Sequence, residues 1–250
     1  MIGDKYAEAL GNGLQHSYAN KVNVASNRLN PKGAIKIIEG LNYNVREIDF
    51  SDNRVGEKNQ CIQRLVSKTI SDRNFKLEVL ILDSNMINDE QIGLLIEGLL
   101  ETGNPHLRVL SLASNLITDA SMNIVSELLT LSISKLRELR LNWNKITAKG
   151  GLILADAIAD NKYLKVLNLS WNNLGSIGKN HIKSGHLGKA WGEALQLNKT
   201  LAHLDLSYNK FSQIEVENMS DFLADNHTLY GIHFEGNQGR IDSLGFLNIK

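Results

Sequence analysis

The sequence predicts an α/β solenoid, in which each turn of the chain lays down one short parallel strand and then a helix. Three observations carry this expectation. The 250 residues hold 38 leucines and 28 asparagines against 2 prolines, a joint excess that marks an internal repeat. One pattern, L-x-x-L-x-L-x-x-N-x-L, returns along the chain. Between its copies lie segments whose apolar residues recur every three or four positions, as on a helix with one buried face.

The best copies are Leu77, Leu80, Leu82, Asn85, Ile87; Leu107, Leu110, Leu112, Asn115, Ile117; and Leu136, Leu139, Leu141, Asn144, Ile146. Leu164, Leu167, Leu169, Asn172, Leu174 and Leu201, Leu204, Leu206, Asn209, Phe211 follow. Looser copies center on Asn27, Asn53 and Asn237, so the asparagines step by 26, 32, 30, 29, 28, 37 and 28 residues. In each copy the x-L-x-L-x core alternates with period two and reads as a strand, leucines inward and x residues outward. The spacing predicts strands of about three to five residues that end two or three residues before each asparagine. The asparagine amide is expected to bond backbone groups that the bend leaves without ladder partners, giving an asparagine ladder along the stack.

The intervening stretch 149–161 is typical of the helices, and Ala34, Ala155, Ala157, Ala190 and Ala194 allow close packing on the sheet. A helix is about 10 Å wide and a strand about 4.8 Å, so stacking such units curves the array into a horseshoe. The sheet then lines the concave side and the helices the convex side. Residues 1–250 are expected to form a single domain of about eight repeats, with a longer exposed loop at 175–186. Asp4 to Leu10 reads as the helix of a repeat that lacks its strand, and the last residues, Leu244 to Lys250, are apolar. Two readings of the ends follow: simple closing segments, or a piece of a longer chain.

Lysine and arginine number 27, as do aspartate and glutamate. This balance speaks against nucleic acid and against a polybasic membrane anchor. A lone cysteine, Cys61, cannot form an internal disulfide and fits a reducing, cytoplasmic setting. It is expected in a helix as a structural thiol. Gly178-Lys179 fails as a phosphate loop, because Asn173 and Asn180 stand where glycine and serine or threonine are needed. No Gly-x-Ser-x-Gly elbow and no HExxH occurs. No enzyme activity, cofactor, metal or small-molecule substrate is therefore expected.

The copies around Leu167 to Leu174 and Leu204 to Asn209 resemble those of the leucine-rich repeat proteins, in particular the ribonuclease-inhibitor-like subclass with repeats of about 28–29 residues. The resemblance spans nearly the whole chain and implies the horseshoe fold. It leaves function open, because members inhibit enzymes, activate GTPases and scaffold assemblies. A protein-interaction module or scaffold is the leading expectation, with cytoskeletal or ciliary attachment as a special case. The alternatives are an activator resembling the leucine-rich-repeat activator of Ran, whose long acidic tail this chain lacks, and an enzyme inhibitor, a class usually rich in cysteine.

The outward strand positions hold Lys21, Asn23, Ala25; Glu47, Asp49, Ser51; Val79, Ile81, Asp83; and Val109, Ser111, Ala113. They continue with Glu138, Arg140, Asn142; Val166, Asn168, Ser170; His203, Asp205, Ser207; and Gly231, His233, Glu235. Six carboxylates face two fixed cations, Lys21 and Arg140, so the partner is expected to present a basic surface. Val79, Ile81, Val109 and Val166 form an apolar center. Asp205 and His233 fall side by side, and with His203 and Glu235 they make a patch with the ligand types for a divalent ion. The plainer reading is a hydrogen-bonded polar patch. Just before the ladder asparagine stand Trp143, Trp171 and Tyr208 in consecutive repeats. They are candidate contact residues on the rim, or a stack that stabilizes the turn. The expected partner-binding set is these three with Glu138, Arg140, Asp49, Asp83, His203, Asp205, His233 and Glu235.

Overall fold

The computed structural model describes residues 3–132, 134–175, 185–243 and 247–248. They fall into two compact units, residues 1–116 with 133–136 and residues 117–132 with 137–250.

The first unit begins with helix α1 (Gly3–Gln15) and alternates strands with helices: β1 (Lys21–Asn23), α2 (Pro31–Gly40), β2 (Glu47–Asp49), α3 (Asn59–Leu65), β3 (Val79–Ile81), α4 (Asp89–Thr102) and β4 (Val109–Ser111). The strands pair in parallel, β1 with β2, β2 with β3 and β3 with β4, and equivalent repeat positions stand opposite each other. The second unit holds α5 (Met122–Thr130), β5 (Glu138–Arg140), α6 (Ala148–Asp160), β6 (Val166–Asn168), α7 (His186–Leu197), β7 (His203–Asp205), α8 (Gln213–Leu223) and β8 (Gly231–His233). Its four strands are likewise parallel and in register. A separate antiparallel pair, β9 (Arg240–Ile241) with β10 (Leu247–Asn248), follows. The α/β solenoid class read from the sequence is the observed one.

Each of β1 to β8 has three residues and ends four, not two or three, before its asparagine. Inter-repeat bonding nevertheless continues past the strand: Leu82 and Ser84 N–H groups donate to Ser111 and Ala113 carbonyls at 2.9 Å. The chain is already bending there toward a left-handed residue. This pairing without strand geometry is what separates the expected bounds from the observed ones.

The inward leucines make the core. Leu77, Leu80, Leu82, Leu139, Leu141, Leu167, Leu169, Leu204 and Leu206 are buried to within 1%. Burying a leucine contributes roughly 1.5–3 kcal/mol, so the repeated pattern is the main source of stability. Helix starts are capped across repeats. Asp119 accepts the N–H groups of Thr147 at 2.7 Å and Gly150 at 3.1 Å at the start of α6. Buried Glu215 of α8 accepts from Gly185 at 2.8 Å and from Gly188 at the start of α7. A carboxylate there satisfies orphan donors and faces the positive end of the helix dipole. The 32-residue step absorbs its extra length in a π turn, Val66–Ile70, after α3.

Helix α1 confirms the N-terminal helix reading. At the other end Leu247 is buried and β10 packs on α8. Residues 176–184, most of the expected loop at 175–186, and residues 244–246 and 249–250 lie outside the described ones. Among the described residues no helix is long and apolar enough to cross a membrane.

Candidate interaction surface

The ladder asparagines sit at the root of the surface. Asn115 illustrates the unit of construction. Its Oδ1 accepts from the Asn85 and Ile87 N–H groups at 3.0 and 2.9 Å. Its Nδ2 donates to the carbonyls of Leu82, Leu112 and Ala113 at 3.0–3.1 Å. Asn53, Asn172, Asn209 and Asn237 do the same in their repeats. One side chain thus closes its own turn and locks it to the preceding repeat.

The structure adds a second asparagine row that the motif did not include. Asn42, Asn104, Asn161, Asn198 and Asn226 stand three residues before the first apolar position of their five repeats. Asn161 Oδ1 accepts from Tyr163 and Leu164 N–H groups, and its Nδ2 donates to the Leu129 carbonyl at 2.7 Å. Asn198 and Asn226 repeat the arrangement. Ahead of Leu77 that offset holds Asn74, but Asp72, two residues earlier, closes the turn: the Asn74 N–H and the Tyr43 hydroxyl donate to its carboxyl and hold it below the usual range. The signal was legible: an asparagine at a fixed offset before the pattern accounts for much of the asparagine excess.

Immediately before each ladder asparagine the backbone is left-handed. Ser26, Asp52, Ser84, Ser114, Trp143, Trp171 and Tyr208 have φ between 52° and 57°, and Gly236 has φ 74°. For a residue with a side chain this conformation costs roughly 1–2 kcal/mol, and for a bulky one it is an outlier. The three aromatics occupy it in consecutive repeats and stack. Trp143 and Trp171 ring centroids lie 4.1 Å apart at 9°, and Trp171 and Tyr208 lie 4.0 Å apart at 13°. Stacking offsets part of the strain, about 0.5–1.5 kcal/mol per pair. A Cβ on Gly236 would come within 2.3 Å of the Tyr208 ring, so glycine is what lets the stack end on bare backbone. The rings remain 51%, 41% and 43% exposed.

The outward sheet positions are only partly as open as the alternation implies. Ser111 is fully buried and Ala113 nearly so, because Asp83 bends over them and accepts from the Ser111 hydroxyl at 2.6 Å and the Ala113 N–H at 2.9 Å. Ser170 and Ser207 are buried under Asn168, Asp205 and Glu235 in the same way. Asp49 accepts from Ser51 and Asn23. These bonds hold the carboxylates in place while leaving their charge. Glu235, held by the Ser207 hydroxyl at 2.7 Å, has its carboxyl below the usual range.

In the first unit Glu47 is paired with Lys21 at 3.0 Å, so Asp49 and Asp83 carry the surplus charge. Half-buried Val79 and Val109 lie side by side, with Ile81 next to Asp49 across the sheet. In the second unit Arg140 is tied to Glu138. Asp205 and Glu235 remain without a cation in an ion pair among the described residues. Asp205 does stand opposite His233, and His203 stands opposite Gly231, where a Cβ would meet its ring at 2.5 Å. Among the described residues no group of three or more histidine, cysteine, aspartate or glutamate side chains could hold a metal ion.

Cys61 is fully buried in α3, and burial pushes its thiol up to about 12. The thiolate is the reactive form. Native protein at pH 8 should therefore resist iodoacetamide and become labeled only in denaturant. Rapid native labeling, read by mass spectrometry, would contradict the burial.

A family model described as "Leucine Rich repeat" matches residues 103–122, 132–155, 160–178 and 197–212. These segments contain the ladder asparagines Asn115, Asn144, Asn172 and Asn209. The matched segments are leucine-rich repeats. No curated protein matches it. Similar solved structures include the actin-binding site 2 of leiomodin-1, at 20% identity and a TM-score of 0.48, covering 67% of this chain and 86% of that one. The tropomodulin C-terminal domain of Caenorhabditis elegans has 17% identity and a TM-score of 0.41 over 79% of this chain and 93% of that one. An internalin of Listeria monocytogenes has 15% identity and a TM-score of 0.28 over 94% and 89%. This leucine-rich repeat chain takes no function from any of them.

Proposed function

We propose that this leucine-rich repeat chain is a non-enzymatic protein-interaction module whose partner presents a basic surface to the outward sheet face and the aromatic rim. The supporting observation is the charge left over on that face. In each unit three carboxylates stand against one cation, Glu47, Asp49 and Asp83 with Lys21 and Glu138, Asp205 and Glu235 with Arg140. Internal hydrogen bonds hold several of these groups in fixed positions, so little order is lost when a partner docks. Val79, Ile81 and Val109 add apolar area beside the carboxylates of the first unit, a pairing suited to a contact surface. Helices between successive strands support the ribonuclease-inhibitor-like subclass as our placement within the family.

The test is affinity capture from native lysate with the wild type and with Asp49→Lys plus Asp83→Lys, then calorimetry and stopped-flow mixing on the protein recovered. Charge reversal should slow association by about tenfold and flatten its salt dependence, with little change in dissociation. Equal capture and equal rates by both proteins would sink the proposal. An accelerated GTP turnover in a panel of small GTPases would replace it with a GTPase-activating role.

A further inference from the structure

We propose that the Trp143–Trp171–Tyr208 stack is a receptor strip for an extended, basic segment of a protein partner. The segment's backbone carbonyls would meet the ring donors, and its arginine or lysine side chains would meet Asp205 and Glu235. This rests on the interaction-module reading and narrows it to one edge of the second unit.

The fold does not need rings at these positions. The same left-handed site holds Ser26, Asp52, Ser84, Ser114 and Gly236 elsewhere in the chain. Small or polar residues fill it at lower strain. Three bulky rings in succession therefore carry a cost that folding alone does not explain, which is the mark of a functional site.

The chemistry of the strip selects its occupant. Stacking covers both faces of Trp171, and Gly236 lies against the Tyr208 ring, so these two rings are exposed chiefly at their edges. Ring edges carry the positive side of the quadrupole and favor acceptors over cations. Neither indole N–H group nor the Tyr208 hydroxyl has a hydrogen-bond partner among the described residues, and all three residues are exposed. An α-helix offers them carbonyls only at its last turn, because the others are bonded internally. An extended segment offers them along its length. Its same-side carbonyls recur about every 6.8 Å, close to the roughly 8 Å between the outermost rings.

Charge sets how the segment lies. Exposed Lys145 and Lys210 follow the ladder asparagines on one flank, with Lys210 Nζ 2.6 Å from Asn173 Oδ1. Asp205 and Glu235 precede the left-handed position of their own repeats along the chain, and both carboxylates accept from Ser207, the residue just before Tyr208. Arg140 is already held by Glu138. Basic side chains of the segment are thus repelled from the lysine flank and drawn to Asp205 and Glu235.

The experiment uses the full chain and an eight-residue peptide of alternating arginine and threonine, with the glutamate–threonine peptide as control. Indole N–H signals are followed by NMR, and buried Trp191 serves as the internal reference. The arginine peptide should move the Trp143 and Trp171 signals and leave Trp191 still. Trp143→Ser with Trp171→Ser should weaken binding about tenfold or more, as should Asp205→Asn with Glu235→Gln. The serine variant should melt within about 3 °C of wild type, since serine is what the chain places at this site elsewhere. Unmoved indole signals, equal binding of the glutamate peptide, or undiminished binding by the serine variant would each overturn the proposal. So would a large melting loss in that variant, which would make the stack structural. If the peptide fails while Asp49→Lys plus Asp83→Lys still loses its captured partner, the strip falls and the interaction-module reading stands.

Discussion

Asn115→Ala should destabilize the protein by about 3 kcal/mol or more, lowering the melting temperature by roughly 6–12 °C. The side chain makes five backbone hydrogen bonds, two accepted and three donated, and is 5% exposed. Alanine strands the Asn85 and Ile87 N–H groups and the Leu82 carbonyl with no water at hand. Each unsatisfied buried group costs about 1–3 kcal/mol, and water entering the cavity recovers only part of that. Asn123→Ala, at an exposed position of α5, is the control and should be near neutral. Thermal unfolding followed by circular dichroism measures both. Equal melting of the two variants would mean that the ladder does not hold the repeats together.

Gly40→Val should cost about 3 kcal/mol, near the top of the range for overpacking. A Cβ at Gly40 would lie 2.0 Å from the Gly11 carbonyl oxygen and 2.6 Å from its Cα, and a Cβ at Gly11 would lie 2.2 Å from the Lys36 carbonyl oxygen. Helices α1 and α2 therefore meet backbone to backbone, and no rotamer change can relieve the clash. The loss should be local, with amide exchange in α1 rising well before that of α4. Gly13→Ala, on α1 with nothing within 4 Å, should instead stabilize by about 0.5–1 kcal/mol. If valine at residue 40 left α1 exchange unchanged, the close approach would not be what seats that helix.

The candidate surface was legible in the residues of the repeat and illegible in the contacts between repeats. Alternation placed Asp49, Asp83, Asp205 and Glu235 on the outward face, because a strand's side chains must alternate. It could not show that Asp83 would fold over Ser111, since that bond joins residues 28 apart and depends on register. The second asparagine row went unread because it lies ahead of the leucines that define the motif.

The repeat by itself determined the fold class, the parallel order of strands within each unit and the buried leucines, because local periodicity decides which faces must leave water. It also placed Trp143, Trp171 and Tyr208 at one position of three successive repeats. Only the tertiary structure decided that this position is left-handed and that the rings stack at about 4 Å. Backbone handedness at one residue answers to the hydrogen bonds that the ladder asparagines make between repeats. Contacts between residues 28 and 37 apart in the chain exist only once those repeats are in register.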